Sequence, residues 1–491
     1  MRWAVLMPSF LISLAFVILL FFFCRRFLAS GTAAVKSLSK TASAVSFSGT
    51  SFLAVIIFLT LSGIGGFSVL YHREWNWDRA INHDCTQFTT DDKEIYWFHP
   101  VCHVLLPQRS ALFAYPLVLL VSSCLYQGVT AEPGFLTPAH KRNLFLISGF
   151  ITGLLPLIHA HSLVCLAMIF IPYALLHPIR SFSINKETGL FVHWLQFGIP
   201  IVSEALIQIP VYMDRLGADK GASFLVYNPI ISHHPWKLYT DGTWYDTAMN
   251  FSLLWLRAIG PFLPLSLLGA LFLNGKQLKL YLSFWVIFAV SNVIQFQPWD
   301  KDNTKMFLIW VLLAVAVVAM VIVKLWNAPS FLTKLIAIAL VVSMVLTGSM
   351  MLYRESTLWW QFMDPEDQEF GQWVAANTDS EDVFIVNDSH IHPVTNLAGK
   401  TAMINMAGWV QSHGYPRMWE RYADMRNMLS RPDDFLDLFR RYNVSYIAHD
   451  WRLGKDNKVD LDFFSYSEHV EQVFTSSKYS VFDVRKLSAS K

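Results

Sequence analysis

The stretch Gln297–Lys305, QPWDKDNTK, places Asp300, Lys301, Asp302, Asn303 and Lys305 between two apolar runs of about twenty residues each, the length that crosses a bilayer. Two readings are open for it: a solvated loop, or a site at the membrane surface. Which one holds depends on what the runs on either side are.

Composition settles the class. The chain has 491 residues, 54% hydrophobic and only 15% charged, whereas a soluble protein carries charge on about a quarter of its residues. It reads as an α-helical multi-pass membrane protein. The net charge of +2 is spread in blocks, without the basic face that nucleic acid requires. Apolar stretches near 3–23, 50–71, 110–127, 143–158, 162–178, 191–212, 250–273, 277–296, 307–325 and 331–352 give about ten expected spans. Arg2 before a long apolar run suggests a signal peptide, but the run exceeds a signal core and Arg25-Arg26 stop it.

Basic residues orient the spans. Arg25, Arg26, Lys36 and Lys40, then Lys141/Arg142, Arg180/Lys186, Lys276/Lys279 and Lys324/Lys334 fall in alternate loops, which the positive-inside rule makes cytoplasmic. The loops 72–109, 159–162, 213–249 and 297–306, and everything after 353, are then expected in the lumen or outside. Sequons at Asn387 and Asn443 fall on that side; a third, at Asn250, lies too near a span to be used. Cys85 and Cys102 share the loop 72–109 and could pair there, or remain thiols. Cys24, Cys124 and Cys165 lie in or beside spans.

After residue 352 the composition becomes that of a soluble domain. Asp364-Pro-Glu-Asp caps a helix running to about Thr378, DVFIVN and VSYIAH read as strands, YPRMWERYADMRNMLS and PDDFLDLFRRYN as helices, and YSVFDVRKL as a last strand. The expected organisation is a polytopic region, 1–352, followed by a C-terminal α/β domain, 353–491.

Three groups of polar residues sit at membrane edges. Arg109 closes the first long lumenal loop; it is either an interfacial anchor or an anion clamp, since a guanidinium fork matches phosphate oxygens. His159 and His161 lie between two short apolar runs, at an expected tight re-entrant turn. They are a structural pair or a functional one, because ionisable groups at membrane depth are costly to bury. A divalent metal on these two alone would be under-coordinated and would need a carboxylate from elsewhere. In QPWDKDNTK, Asp302 and Lys305 have helix spacing and can face one site.

These residues carry a resemblance. LLPQRSALFAYPL, GLLPLIHAHSL, QPWDKDNTKMFLIW and the later FGQWVAANT and DVFIVN, in this order over most of the chain, resemble the type C glycosyltransferase superfamily, in particular multi-pass members with a C-terminal lumenal domain. The resemblance implies a helical membrane fold and a polyprenyl-phosphate sugar donor. It also implies catalysis at the lumenal surface, with an acidic residue of the first lumenal loop as base or metal ligand. Arg109 and Lys305 would then clamp the lipid phosphate, Asp300 and Asp302 would hold that lysine or an acceptor hydroxyl, and His159 and His161 would line the cavity. One departure stands out: the first span here leads into a basic loop, and the carboxylates of 72–109 follow the second. Either Asp78 or Asp84 replaces the usual acid, or, as this pattern favours, the acid-bearing loop lies upstream of the sequence. That absence favours a second class, a non-catalytic membrane scaffold with the C-terminal domain as its binding module. A secondary transporter is the remaining class, although no second copy of IHAHS or PWDKDN marks the repeats such proteins show. The sugar and its acceptor are not identified by these residues. The membrane would be that of the endoplasmic reticulum in a eukaryote and the plasma membrane otherwise.

Overall fold

The computed structural model describes residues 2–30, 40–67, 97, 99–132, 134–177, 190–216, 225–229, 244–297, 300–357, 361–412 and 417–489. The chain divides into two compact units, Met1–Ile209 with Phe224–Leu358, and Pro210–Ser223 with Trp359–Lys491.

The first unit is a helical bundle. Its helices are α1 (Arg2–Ala29), α2 (Lys40–Thr60), α3 (Arg109–Thr130), α4 (Pro138–Leu175), α5 (Leu190–Ile209), α6 (Trp244–Ile259), α7 (Phe262–Ala270), α8 (Gly275–Ser291), α9 (Thr304–Asn327) and α10 (Phe331–Thr357). Among the described residues six helices are long and apolar enough to cross a membrane, or seven if the pair α6 and α7, bent by 103°, makes one span. This corrects the expected ten, for physical reasons that differ from place to place. α8 has 17 residues, the pair α6 and α7 is bent, and the runs 143–158 and 162–178 are the two arms of one broken helix, α4, counted once.

That helix is broken at one residue. His159 alone has extended backbone, φ −159° and ψ 93°, inside α4. The rings of Phe145 before the break and of Phe170 and Tyr173 after it all lie against Trp194 of α5, with centroids 5.3, 6.3 and 6.3 Å away. In a straight helix Phe145 and Tyr173 would be about 42 Å apart. α4 therefore folds back on itself, and His159 is its apex. The first arm can lie close to α5 because it presents Gly149 and Gly153: a Cβ on Gly149 would stand 2.2 Å from the Phe197 carbonyl oxygen. Small residues four apart permit such approach where lipid supplies no hydrophobic drive between helices.

α9 is the shaft of the bundle. Every residue from Met306 to Ala319 is buried, as expected of a helix apolar on all sides, and it packs against α2, α7, α8 and α10.

Polar contacts gather at the two ends. At one, Tyr126 hydroxyl meets Ser30 (2.5 Å), the Gln277 amide donates to the Phe27 carbonyl (2.7 Å) and Lys276 pairs with Glu132 (2.9 Å). These belong to three of the loops that carry the basic residues. The apex of α4 and the start of α9 lie at the other end.

The second unit holds a five-stranded sheet in the order β4-β3-β5-β7-β6, with β3 (Val383–Ile385), β4 (Thr401–Ala402), β5 (Val444–His449), β6 (Glu471–Thr475) and β7 (Ser480–Asp483). β4, β3 and β5 run parallel, β7 and β6 antiparallel. Helix α11 (Pro365–Asn377) buries Phe370 and Val374 against Phe384, Tyr446 and Val481 on one face. Its start is a capping box between Asp364 and Asp367, which satisfies two of the amides a helix N-terminus leaves free. The other face buries Ile385, Ile447 and Phe482 under α12 (Met418–Ser430) and α13 (Leu436–Arg441).

Candidate functional site

At the apex of α4 the imidazole Nδ1 of His159 lies 2.9 Å from the Ser162 hydroxyl. Its ring is 5.2 Å from that of His161 and 6.2 Å from that of Tyr115 on α3. Tyr115 donates a 2.9 Å hydrogen bond to the main-chain carbonyl of Lys305. The Lys305 ammonium, its side chain only 12% exposed, lies 3.4 Å from Asp302 and 3.5 Å from the Gln297 amide oxygen. The amide nitrogen of Gln297 is in turn 3.5 Å from His161 Nδ1. Both contacts of Gln297 are at the long limit for a hydrogen bond, so neither fixes it, and a ligand oxygen can compete for both neighbours.

The loop that presents these groups is held by its own side chains. Asn303 accepts from the Phe296 amide (3.0 Å) and donates to the carbonyls of Ser291 (3.0 Å) and Ile294 (2.8 Å). A two-residue antiparallel pairing, β1 (Val226–Tyr227) on β2 (Ile294–Gln295), adds a second tie. All three hydrogen-bonding positions used on Asn303 are internal, so Asn303 shapes the loop and is not free to bind.

Of the residues expected at a site, His159, His161, Asp302 and Lys305 are thus brought together from two distant segments, with Tyr115 of α3 as a third. Asp300 opens a short 3-10 turn, Asp300–Asn303, and its side chain lies outside the described residues, as do Asp78, Asp84 and Cys85. The pairing of Cys85 with Cys102 therefore falls outside them too. Arg109 is the first residue of α3, six before Tyr115, with its side chain exposed. It makes no hydrogen bond or ion pair with a described residue and does not reach the Lys305 cluster by direct contact. Among the described residues no three of His, Cys, Asp and Glu are grouped to hold a metal ion. Tyr115, Ser162 and Gln297 were not expected. Gln297 stood in the quoted stretch but is neutral, and a buried tyrosine in an apolar helix has no sequence signal of its own.

Asn387 is 3% exposed, and its amide nitrogen donates to Asp450 at 2.5 Å, so in the folded unit its amide is not presented for glycosylation. Asn443 is exposed, at a positive φ of 47° just before β5.

No family model and no curated protein matches the chain. Solved structures similar to it include the oligosaccharyltransferase of Archaeoglobus fulgidus tethered with an acceptor peptide containing the NVT sequon (12% identity, 83% of this chain, 57% of that chain, TM-score 0.40). The same enzyme in complex with Zn and sulfate aligns over 84% of this chain and 56% of that one, at 12% identity and a TM-score of 0.38. ArnT from Cupriavidus metallidurans bound to undecaprenyl phosphate aligns over 97% of this chain and 83% of that one, at 10% identity and a TM-score of 0.46. The chain thus spans little more than half the length of the oligosaccharyltransferase. At these identities and TM-scores the likeness carries no argument.

Proposed function

We propose that the first unit binds a polyprenyl-phosphate-linked sugar at the extracytoplasmic membrane face and transfers the sugar to an acceptor. The supporting observation is the convergence of three sequence-distant motifs at one end of the bundle: Tyr115 of LLPQRSALFAYPL, His159 and His161 of GLLPLIHAHSL, and Lys305 of QPWDKDNTK. A single ammonium, mostly out of water and held by one carboxylate and one amide, is suited to the charge that develops on a departing lipid phosphate, since a preorganised donor gains strength where water is scarce. His161 adds a second group able to donate or accept a proton. Arg109 is the candidate for a second cation once a phosphate is bound. The acid that would activate the acceptor is sought in 72–109, at Asp78 or Asp84.

The test is a transfer assay in proteoliposomes with a labelled polyprenyl-phosphate sugar. Transfer that disappears in Lys305→Gln supports the reading. Uptake of a free solute into sealed vesicles without transfer would replace it with a transporter, and neither activity would leave a scaffold.

A further inference from the structure

We propose that the second unit carries its own binding site for a neutral oligosaccharide, in the cleft at the carboxyl ends of β3 and β5. The topology selects this place. The chain leaves β3 for β4 on one side and later enters β5 on the other side of β3, with all three strands parallel. Helices and loops therefore diverge at the carboxyl ends of β3 and β5, and in open α/β sheets ligands bind at such a switch point. A cavity of about 450 Å³ lies there, lined by Asn387 beyond β3, by Asp450 and Trp451 beyond β5, and by His392. That is the size of a small-molecule site.

The floor of the cleft has an unfilled hydrogen-bonding pattern. Both oxygens of Asp450 are engaged, one taking the Asn387 amide (2.5 Å) and the other the Leu453 main-chain amide (2.7 Å). Asn387 Oδ1 and His392 Nε2, on residues 3% and 1% exposed, have no partner among the described residues. Nearly all buried polar atoms are paired, and an orphan destabilises the fold that contains it. His392 Nδ1 accepts from the Val394 amide (3.3 Å), which assigns the proton of the neutral ring to Nε2. The orphans are therefore one acceptor and one donor. A hydroxyl both donates and accepts, so a polyol satisfies them together; an anion would satisfy only the imidazole.

Charge and shape at the rim agree. The lining residues include two carboxylates, Asp367 and Asp450, and two cations, Arg452 and Lys478. Lys478 is ion-paired with Asp364 and Asp367, and with Arg452 set against Asp450 in the count the lining carries no net positive charge to favour a phosphate. Trp451 is 65% exposed at the start of a helical turn, with the Arg452 guanidinium 5.4 Å from its ring centre. An exposed indole offers its negative face to the polarised C–H groups of a pyranose ring.

The proposal stands on the second unit alone and does not depend on the transferase reading. The test titrates the full chain in nanodiscs, without lipid donor, with neutral di- to tetrasaccharides of glucose, mannose and N-acetylglucosamine, followed by saturation-transfer NMR. At least one series binds, Trp451→Ala weakens it about tenfold or more, Trp451→Phe retains part of it, and Trp419→Ala, a change at an exposed tryptophan outside the cleft, leaves it unchanged. The proposal is overturned if no saccharide binds at millimolar concentration, if Trp451→Ala has no effect, or if inorganic phosphate or an unstructured peptide displaces the sugar from the cleft.

Discussion

The hydroxyl of Tyr115 and the main-chain carbonyl of Lys305 share a 2.9 Å hydrogen bond across 190 residues of chain. It ties the middle of α3 to the first turn of α9 and brings the His159 ring alongside. Tyr115→Phe keeps the packing and removes only this bond, so stability should fall by about 1 kcal/mol, the usual net value of one hydrogen bond. If the bond sets the position of the Lys305 ammonium, transfer should fall by more than that change in stability accounts for. Thermal unfolding in detergent and the transfer assay, run on the same preparations, separate the two effects.

Lys305 and Arg109 differ in setting: one is held among Asp302 and Gln297, the other exposed at the start of α3. Lys305→Gln should reduce donor-lipid affinity by at least about tenfold, given that charge-assisted hydrogen bonds contribute some 1.5–3 kcal/mol. If Arg109 swings onto the same phosphate, the double change to Gln should cost less than the sum of the two single changes, and Arg109→Lys should rescue only in part. Strict additivity in a lipid-binding measurement would show that Arg109 is an interfacial anchor.

Only one of the two C-terminal sequons is presented in the folded unit. Expressed in a glycosylating eukaryotic host, Asn443→Gln should remove a glycan and its mobility shift, and Asn387→Gln should not, because the Asn387 amide is buried against Asp450. Protease added outside sealed microsomes should spare residues 353–491. Digestion of that region would reverse the orientation proposed from the basic loops, and with it the side on which Lys305 works.

His392 makes the second unit sensitive to acid. Burial pushes its imidazole down to about 4 from the ordinary 6.5, with the nearby Asp367 carboxylate acting upward and the Arg452 guanidinium downward. The unfolded chain therefore binds this proton first, and stability present above pH 6.5 is lost as pH falls towards 4. The loss is on the order of 3 kcal/mol at about 1.4 kcal/mol per unit. Hydrogen exchange of the β3 and β5 amides, corrected for intrinsic rates, should accelerate over that window. His392→Gln should flatten the dependence, since it removes the titrating group.

The strands β3 and β5 lie where DVFIVN and VSYIAH stand in the sequence, because short, mostly buried β-branched and aromatic runs have few other places to go. β6 left no such trace: it is an edge strand whose five residues are exposed or half-buried, and β4 has only two residues. In the first unit His159, His161, Asp302 and Lys305 were legible as candidates because ionisable groups at membrane depth need a reason to be there. Tyr115 was not, since its role comes from a carbonyl 190 residues away that no local pattern announces. The fold-back of α4 was legible as two apolar runs joined at HAH. Its one-residue break was not, because it depends on α5 meeting both arms through Trp194. The burial of Asn387 was not legible for a related reason: a sequon is local, and the partner that buries this one lies beyond β5.

The unequal arms of α4 set a depth. Before His159 the helix rises about 31 Å and after it only about 24 Å, against a hydrocarbon core of about 30 Å. With both arms starting from the same face, the shorter one stops several ångströms below the opposite surface and draws the apex down with it. On that arithmetic the imidazoles would lie below the membrane surface, where irregular backbone is tolerated only beside protein or water. A lipid-borne headgroup could reach them sideways from the leaflet, while a water-soluble acceptor would have to descend from above, so the two reactants of a transfer would arrive by separate routes. Lengthening the second arm by one helical turn, about 5.4 Å, should lift the apex and close that lateral entrance while leaving the histidines themselves unchanged.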